Sequence, residues 1–310
     1  MVPDADFASY YGKPVLNAPT WEALDIAGYL FLGGLAGGSS LVAAGAQATG
    51  LRGLARIAKI GSTTAAALSL VGLIHDLGRP TRFLNMLRMF KPTSPMSVGS
   101  WILFAYVPAS AGATVLDLAD RLPMIGGLAT GGAAVLAPAL ASYTAALISN
   151  TAVPAWHEGR HELPFVFVAS GAMAAAGLGL LAAPGAETAA VRRLGIGAGV
   201  AELALSETME RRTGMVGESF RTGRAGKYRR AARALVGAGV LGTLVARERG
   251  GLLSRAAGAA LLAGSACTRF AIFEAGVESA RDPRYTIVPQ RERLDARERA
   301  APSDGSRRPR

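Results

Sequence analysis

Apolar residues in this chain fall into runs of about 20, the length that carries an α-helix across a hydrocarbon core of about 30 Å. The runs predict helices at 22–48, 57–77, 97–118, 125–150, 163–183, 188–209, 231–246 and 251–276. The seventh, AARALVGAGVLGTLVA, is short, and Arg230 and Arg247 at its ends must reach back to the headgroups. Pro108 and Pro138 fall inside the third and fourth spans, where kinks or cavities are expected because the freed carbonyls need neighbours or water. The fold class is therefore all-α, a polytopic membrane protein built as a bundle of about eight transmembrane helices. An N-terminal segment (1–21) precedes the membrane domain (22–280), and a basic tail (281–310) follows it. From about Gln290 the tail, RERLDARERAAPSDGSRRPR, is poor in apolar residues and is expected to be disordered.

Composition agrees with this pattern: 50% of the 310 residues are hydrophobic and 18% charged, and 39 glycines suit helices that pack closely within lipid. The start, MVPDADFASYYGKP, is neutral to acidic and the first apolar run begins only near Trp21, so no cleaved signal peptide is expected. The net charge is +11. With eight spans, both termini share a face with Arg79, Arg82, Arg88, Lys91, Arg160 and the arginines from Arg211 to Arg230. The opposite face receives fewer basic residues, so the terminal face is expected to be cytoplasmic, in a plasma or inner membrane. The single cysteine, Cys267, excludes an internal disulfide and any cluster held by several thiolates. Three histidines fall short of the four that two bis-histidine haems require. No haem, no Fe–S cluster, no other metal and no nucleic-acid partner are expected in this chain.

Ionisable side chains inside spans are costly, so each marks a candidate functional position. Asp25 lies about a turn into the first helix, and His75 and Asp76 close the second. Tyr143 is near the end of the fourth, Glu202 and Glu207 are in the sixth, and Arg269 and Glu274 are near the end of the eighth. Alternating helix directions place all of these in the membrane half next to the termini; Asp117 alone falls in the other half. Plainer readings exist: Asp25 and Glu274 as interfacial residues, Tyr143 as a belt tyrosine. Arg269 and Glu274 are off the i,i+4 spacing, which favours partners on other helices. Glu202 needs a partner, a proton or a water-filled cavity. A carboxylate, an imidazole and a phenol in apolar surroundings suit a hydrophobic ligand with two polar ends. Quinone is such a ligand, its carbonyls needing donors and its quinol form needing proton acceptors. A transporter site or a proton relay would use the same residue types.

The stretch HDLGRPTRFLNMLRMFKPTSPMSVGSW (75–101) is the most specific in the chain. With YLFLGGLAGGSS (29–40), YTAALISNTAVPAWHEGRHELPFVFVASG (143–171) and RFAIFEAGVESARDPRYTIVPQ (269–290), it resembles the NrfD/PsrC family of polysulfide-reductase-type membrane subunits over nearly the whole chain up to the tail. The resemblance implies an eight-helix subunit without its own metal centre. It also implies electron exchange between membrane quinone (menaquinone or ubiquinone) and a ferredoxin-like Fe–S subunit, which serves a molybdopterin catalytic subunit or a multihaem cytochrome. The family's quinone pocket uses polar groups near the start of the first helix and a tyrosine on a later one. Asp25 and Tyr143 fall in those places, with His75 close by.

On this reading Asp25, His75 and Tyr143 form the quinone site with Arg79 beside them, and Glu202 and Glu207 form a proton path to solvent. The basic knot from His75 to Phe104, through Arg79, Arg82, Arg88 and Lys91, lies between the pocket and the partner. The family's Fe–S partner is commonly exported, whereas the arginine distribution here points to cytoplasmic partners. The alternative is a proton-conducting or purely structural scaffold without quinone chemistry, for which Glu202, Glu207 and Asp117 supply polar groups in both halves. An independent secondary transporter is a third option, but no inverted repeat is evident.

Overall fold

Each predicted span coincides with a long helix. The computed structural model describes residues 14–77, 79, 85–246 and 251–300. Its long helices are α1 (Ala23–Ala48), α2 (Arg52–Asp76), α3 (Pro95–Leu118) and α4 (Pro123–Ser149), then, after the short α5 (Pro154–Glu158), α6 (Leu163–Ala182), α7 (Ala189–Arg212), α8 (Gly223–Val245) and α9 (Leu252–Arg281). Prolines in the first turns of α3, α4, α5 and α6 set these starts, since the missing N–H costs nothing there. The Ser94 hydroxyl, accepting from the Ser97 N–H at 3.4 Å, caps α3.

Six of these helices, α1, α2, α3, α4, α6 and α9, are long and apolar enough to cross a membrane. The expectation of eight spans is met in length only, because α7 and α8 carry too much charge. Much of that charge is paired between the two helices: Glu207 with Arg233, and Glu210 with Arg229 at 2.5 Å. A second correction concerns the tail. Of the stretch expected to be disordered from about Gln290, residues 290–300 belong to a helix, α10 (Arg284–Ala300), and residues 301–310 lie outside the described residues. Its Arg, Glu, Ala and Leu are strong helix formers, and Arg293 pairs with Glu158. At the corner before it, Asp282 accepts from Arg284, which holds the Asp282 carboxyl below the usual carboxylate range.

The helices pack as two groups of four. In one, α1 lies against α2 and α4, and α3 joins α2 to α4; in the other, α9 lies against α8 and α6, and α7 joins α6 to α8. The groups meet where α6 contacts α1, α4 and α2 and where α9 contacts α1. That seam is built from glycine: a Cβ on Gly171 would stand 2.7 Å from the Gly34 carbonyl oxygen; inside the first group, one on Gly37 would stand 2.8 Å from that of Ala137 on α4. The G-G-L-A-G-G of the first span is thus a packing surface on which two backbones rest directly on α1.

Candidate functional site

Two of the residues read from the sequence meet directly. His75 Nδ1, at the end of α2, lies 2.6 Å from Asp25 Oδ2, in the first turn of α1. The carboxylate can only accept while ionised, so Nδ1 carries the hydrogen and Nε2 is left free to give or take a proton. Glu22 and Asp76 add two more carboxylates near the imidazole. The Asp25 side chain is 16% exposed and that of His75 is 71% exposed, so the pair is anchored on the protein and faces outward. Leu68 and Val71, seven and four residues before His75 on the same side of α2, are both exposed and give that outward face an apolar approach.

Tyr143 is buried on α4, and its hydroxyl bonds that of Tyr29 on α1. Tyr29 was missed in the sequence, although it stands one turn after Asp25, on the same side of α1. Space for the Tyr143 ring comes from Gly99 on α3, where any Cβ would overlap it. The Ser69 hydroxyl, donating to the Tyr29 carbonyl at 3.3 Å, ties α2 to the same turn. One side of α1 therefore carries Asp25 and Tyr29 in succession, the first paired with an imidazole and the second with a phenol. Together they offer a proton acceptor of tunable charge and a pair of hydroxyl donors within one helical turn.

The start of α1 is pinned from the other bundle. Trp21 stacks on Trp156 with ring centroids 5.8 Å apart, and Trp156 is fully buried with Nε1 donating to the Ile272 carbonyl at 2.8 Å. Gly276 on α9 leaves room for that indole. The later part of the basic knot, at Met89 and Phe90, folds back onto α3: Ser97 Oγ donates to the Met89 carbonyl at 3.1 Å, and Trp101 meets Phe90 edge to face at 6.3 Å. Arg79 is exposed just beyond α2, its N–H donating to the Leu77 carbonyl. Arg82 lies outside the described residues.

The remaining candidates sit elsewhere. Glu202 is 2% exposed on α7 and accepts from the Thr268 hydroxyl at 2.6 Å. It lines a cavity of about 30 Å³ with Glu210, Arg229 and Arg233, enough for one or two waters. Glu207 is paired with Arg211 and Arg233. Both belong to the α6–α9 group, apart from Asp25, His75 and Tyr143. Arg269 and Glu274 do find partners on other helices. Arg269 is fully buried, donates to the Phe167 carbonyl at 2.7 Å and lies 3.6 Å over the Phe167 ring, whereas Glu274 pairs with Arg224 at 3.2 Å. Among the described residues, no three His, Cys, Asp or Glu side chains converge to hold a metal ion.

Helices of membrane-crossing length, packed on a glycine seam and carrying paired ionisable groups at one end, define a polytopic helical membrane protein. Residues 16–193 match the family described as "Polysulphide reductase, NrfD". The match spans more than half of the chain, and the chain belongs to this family, whose members are membrane subunits of polysulfide-reductase-type complexes. It covers α1 to α6 and the first turn of α7, so Asp25, Tyr29, His75 and Tyr143 lie within it, while Glu202, Glu207 and the 269–290 stretch lie beyond it. No curated protein matches the chain.

Proposed function

We propose that this chain is the quinone-reactive membrane subunit of an oxidoreductase complex, exchanging electrons between membrane quinone and a docked ferredoxin-like Fe–S subunit. The observation that carries the reading is the succession on α1 of the Asp25–His75 pair and the Tyr29–Tyr143 pair. A quinol at this place gives up two electrons to the partner and two protons to the protein. Neutral His75, its Nδ1–H held by Asp25, takes a proton on Nε2, and the imidazolium is stabilised by the carboxylate that already faces it. At the second oxygen one hydroxyl of the Tyr29–Tyr143 pair takes the other proton on a lone pair as the pair releases one of its own towards water, so the pair is left uncharged. Leu68 and Val71 offer the lipid-side approach that an isoprenoid ligand needs.

The partner docks on the face next to this site, which the positive-inside rule assigns to the cytoplasm along with both termini. Exposed Arg88, Lys91, Met89 and Phe90 of the knot, with Arg79 beside His75, give that face basic and apolar contact groups. A molybdopterin subunit or a multihaem cytochrome would stand beyond the Fe–S subunit. Glu202 and its cavity, with Glu207 nearer the surface, form a proton outlet for the second bundle.

The test uses the complex purified through a tag on this chain, with quinol oxidation coupled to reduction of an artificial dye. His75→Gln and Tyr143→Phe are each expected to lower turnover by about 10² or more, the usual weight of a positioned acid–base group, while partner subunits still co-purify. Full turnover in both variants would remove the site from the quinone reaction.

A further inference from the structure

The opposite end of the first bundle holds a charged system that the quinone reading does not use. A vestibule of about 750 Å³ opens there between the α1–α2 and α3–α4 turns, where the ends of four helices reach the headgroup layer. Arg52, Arg56 and Lys59 of α2 and Arg121 of the α3–α4 turn line it, against the carboxylates of Asp117 and Asp120. Four cations facing two carboxylates leave it a net charge of +2.

The charges are unevenly satisfied. Asp117 serves two cations at once, accepting from Arg56 Nε at 3.0 Å and from Lys59 Nζ at 2.8 Å, which leaves one positive charge over. Lys59 is 6% exposed, a buried ammonium at the wall of the vestibule. Arg52 and Arg121 are exposed, and among the described residues neither has an ion pair. Two guanidinium forks are therefore free on either side of an already positive floor.

The walls that carry them are fixed. Thr114 donates to the Lys59 carbonyl at 2.9 Å and bonds Thr63 at 2.7 Å, and Ser62 bonds Ser110 at 2.7 Å and the buried Tyr106 hydroxyl at 2.9 Å. These bonds hold α2 against α3, so the cations of one and the carboxylate of the other keep their spacing. In the α3–α4 turn, Asp120 and Leu122 flank Arg121 and both hold left-handed backbone, with φ of 51° and 49°. A leucine keeps that conformation only where the surrounding structure imposes it, so the turn that carries Arg121 has a set shape. At the edge the character changes. Leu118 lines the vestibule, and exposed Leu122, Ile125 and Leu128 carry the apolar surface on along α4.

We propose that the vestibule is a binding site for a phosphate group, and that the headgroup of an anionic phospholipid is the form its apolar edge fits. Arg52 and Arg121 take the phosphate oxygens from the two sides, a task for which the planar guanidinium fork is suited. Arg56 and Lys59 keep the floor positive, and the acyl chains lie on Leu118 and the apolar side of α4. The lipid would tie the α1–α2 turn to the α3–α4 turn. Nothing in this assignment depends on quinone chemistry at the other end. Surface arginines also attract anionic lipid without any site, and the test separates the two cases.

The full chain, purified in a non-ionic detergent, is offered an equal mixture of phosphatidylglycerol and phosphatidylcholine, and native mass spectrometry counts the lipids that stay bound. Phosphatidylglycerol is expected to be preferred by roughly tenfold, the weight of one or two basic residues on a charged headgroup. Arg52→Gln with Arg121→Gln is expected to bring the two lipids level. Lys227→Gln with Arg230→Gln takes the same charge from exposed positions on α8 and should leave the preference in place. Arg121→Gln alone, expected to weaken the preference, serves if the double variant does not fold. A second arm adds inorganic phosphate to the delipidated chain, with chloride holding the ionic strength constant. A rise in the unfolding midpoint that the Arg52 and Arg121 substitutions abolish, with the two lipids bound equally, would support the phosphate site and assign it to a soluble anion. Equal retention of both lipids without any phosphate response would overturn the proposal. So would a preference that survives the Arg52 and Arg121 substitutions, or one that the α8 substitutions remove as well.

Discussion

Removing the Asp117 carboxylate tests the arrangement at the vestibule most directly. In Asp117→Asn, two cations lose their partner under unequal conditions. The Arg56 side chain is 53% exposed and turns to water, so its share is within about 0–1 kcal/mol. The Lys59 side chain is 7% exposed, and breaking a buried pair by deleting one member costs about 3–5 kcal/mol. The vestibule beside Lys59 holds solvent and returns part of this, which leaves a loss of roughly 2–3 kcal/mol. At about 2–4 °C per kcal/mol, the unfolding midpoint in detergent should fall by roughly 5–10 °C. The assay can follow labelling of Cys267, the single cysteine, by a thiol-reactive fluorophore as α9 comes apart. Adding Lys59→Met removes the stranded ammonium and keeps its volume, and should restore most of the loss. A single variant as stable as the parent, or a double variant no better than the single, would refute the claim that Lys59 depends on Asp117.

Two further predictions concern the packing of the site and of the second bundle. Gly99→Ala places a methyl group where the Tyr143 ring lies, so it should separate Tyr143 from Tyr29 and lower quinol-linked dye reduction towards the level of Tyr143→Phe, with subunit co-purification unchanged. Glu210→Gln should destabilise by about 3 kcal/mol, because its 3% exposed carboxylate is shared by Arg229 and Arg233, whereas Glu207→Gln, at 33% exposure, should cost no more than about 1 kcal/mol; equal midpoints for the two would contradict this ordering.

The helices were legible because a bilayer demands uninterrupted apolar length, which hydropathy reads directly. Where the demand is relaxed the reading slipped. In α7 and α8 paired charge replaces apolarity, and α10 needs no apolar face to be helical. The site was half legible. Asp25, His75 and Tyr143 stand out as polar groups in apolar runs, but nothing in their spacing says that residues 25 and 75 touch, since the hairpin that joins them depends on the length of two helices and a turn. Tyr29, Tyr106 and the serines and threonines of α2 and α3 escaped notice because a hydroxyl barely perturbs a hydropathy profile. Spacing by four residues, as in Ser110 and Thr114, which face Ser62 and Thr63, was the available signal.

The glycine contacts between α1 and α6 have a mechanical meaning. Carriers that expose a central site alternately to two sides do so by rocking one half of the molecule against the other, which needs a joint able to slide or open. Here the joint is backbone resting on backbone, with Gly34 and Gly171 in register and a fully buried arginine wedged beside them. To slide one half past the other, these backbones would first have to part, so a rocking motion across this seam would have to break its closest contacts.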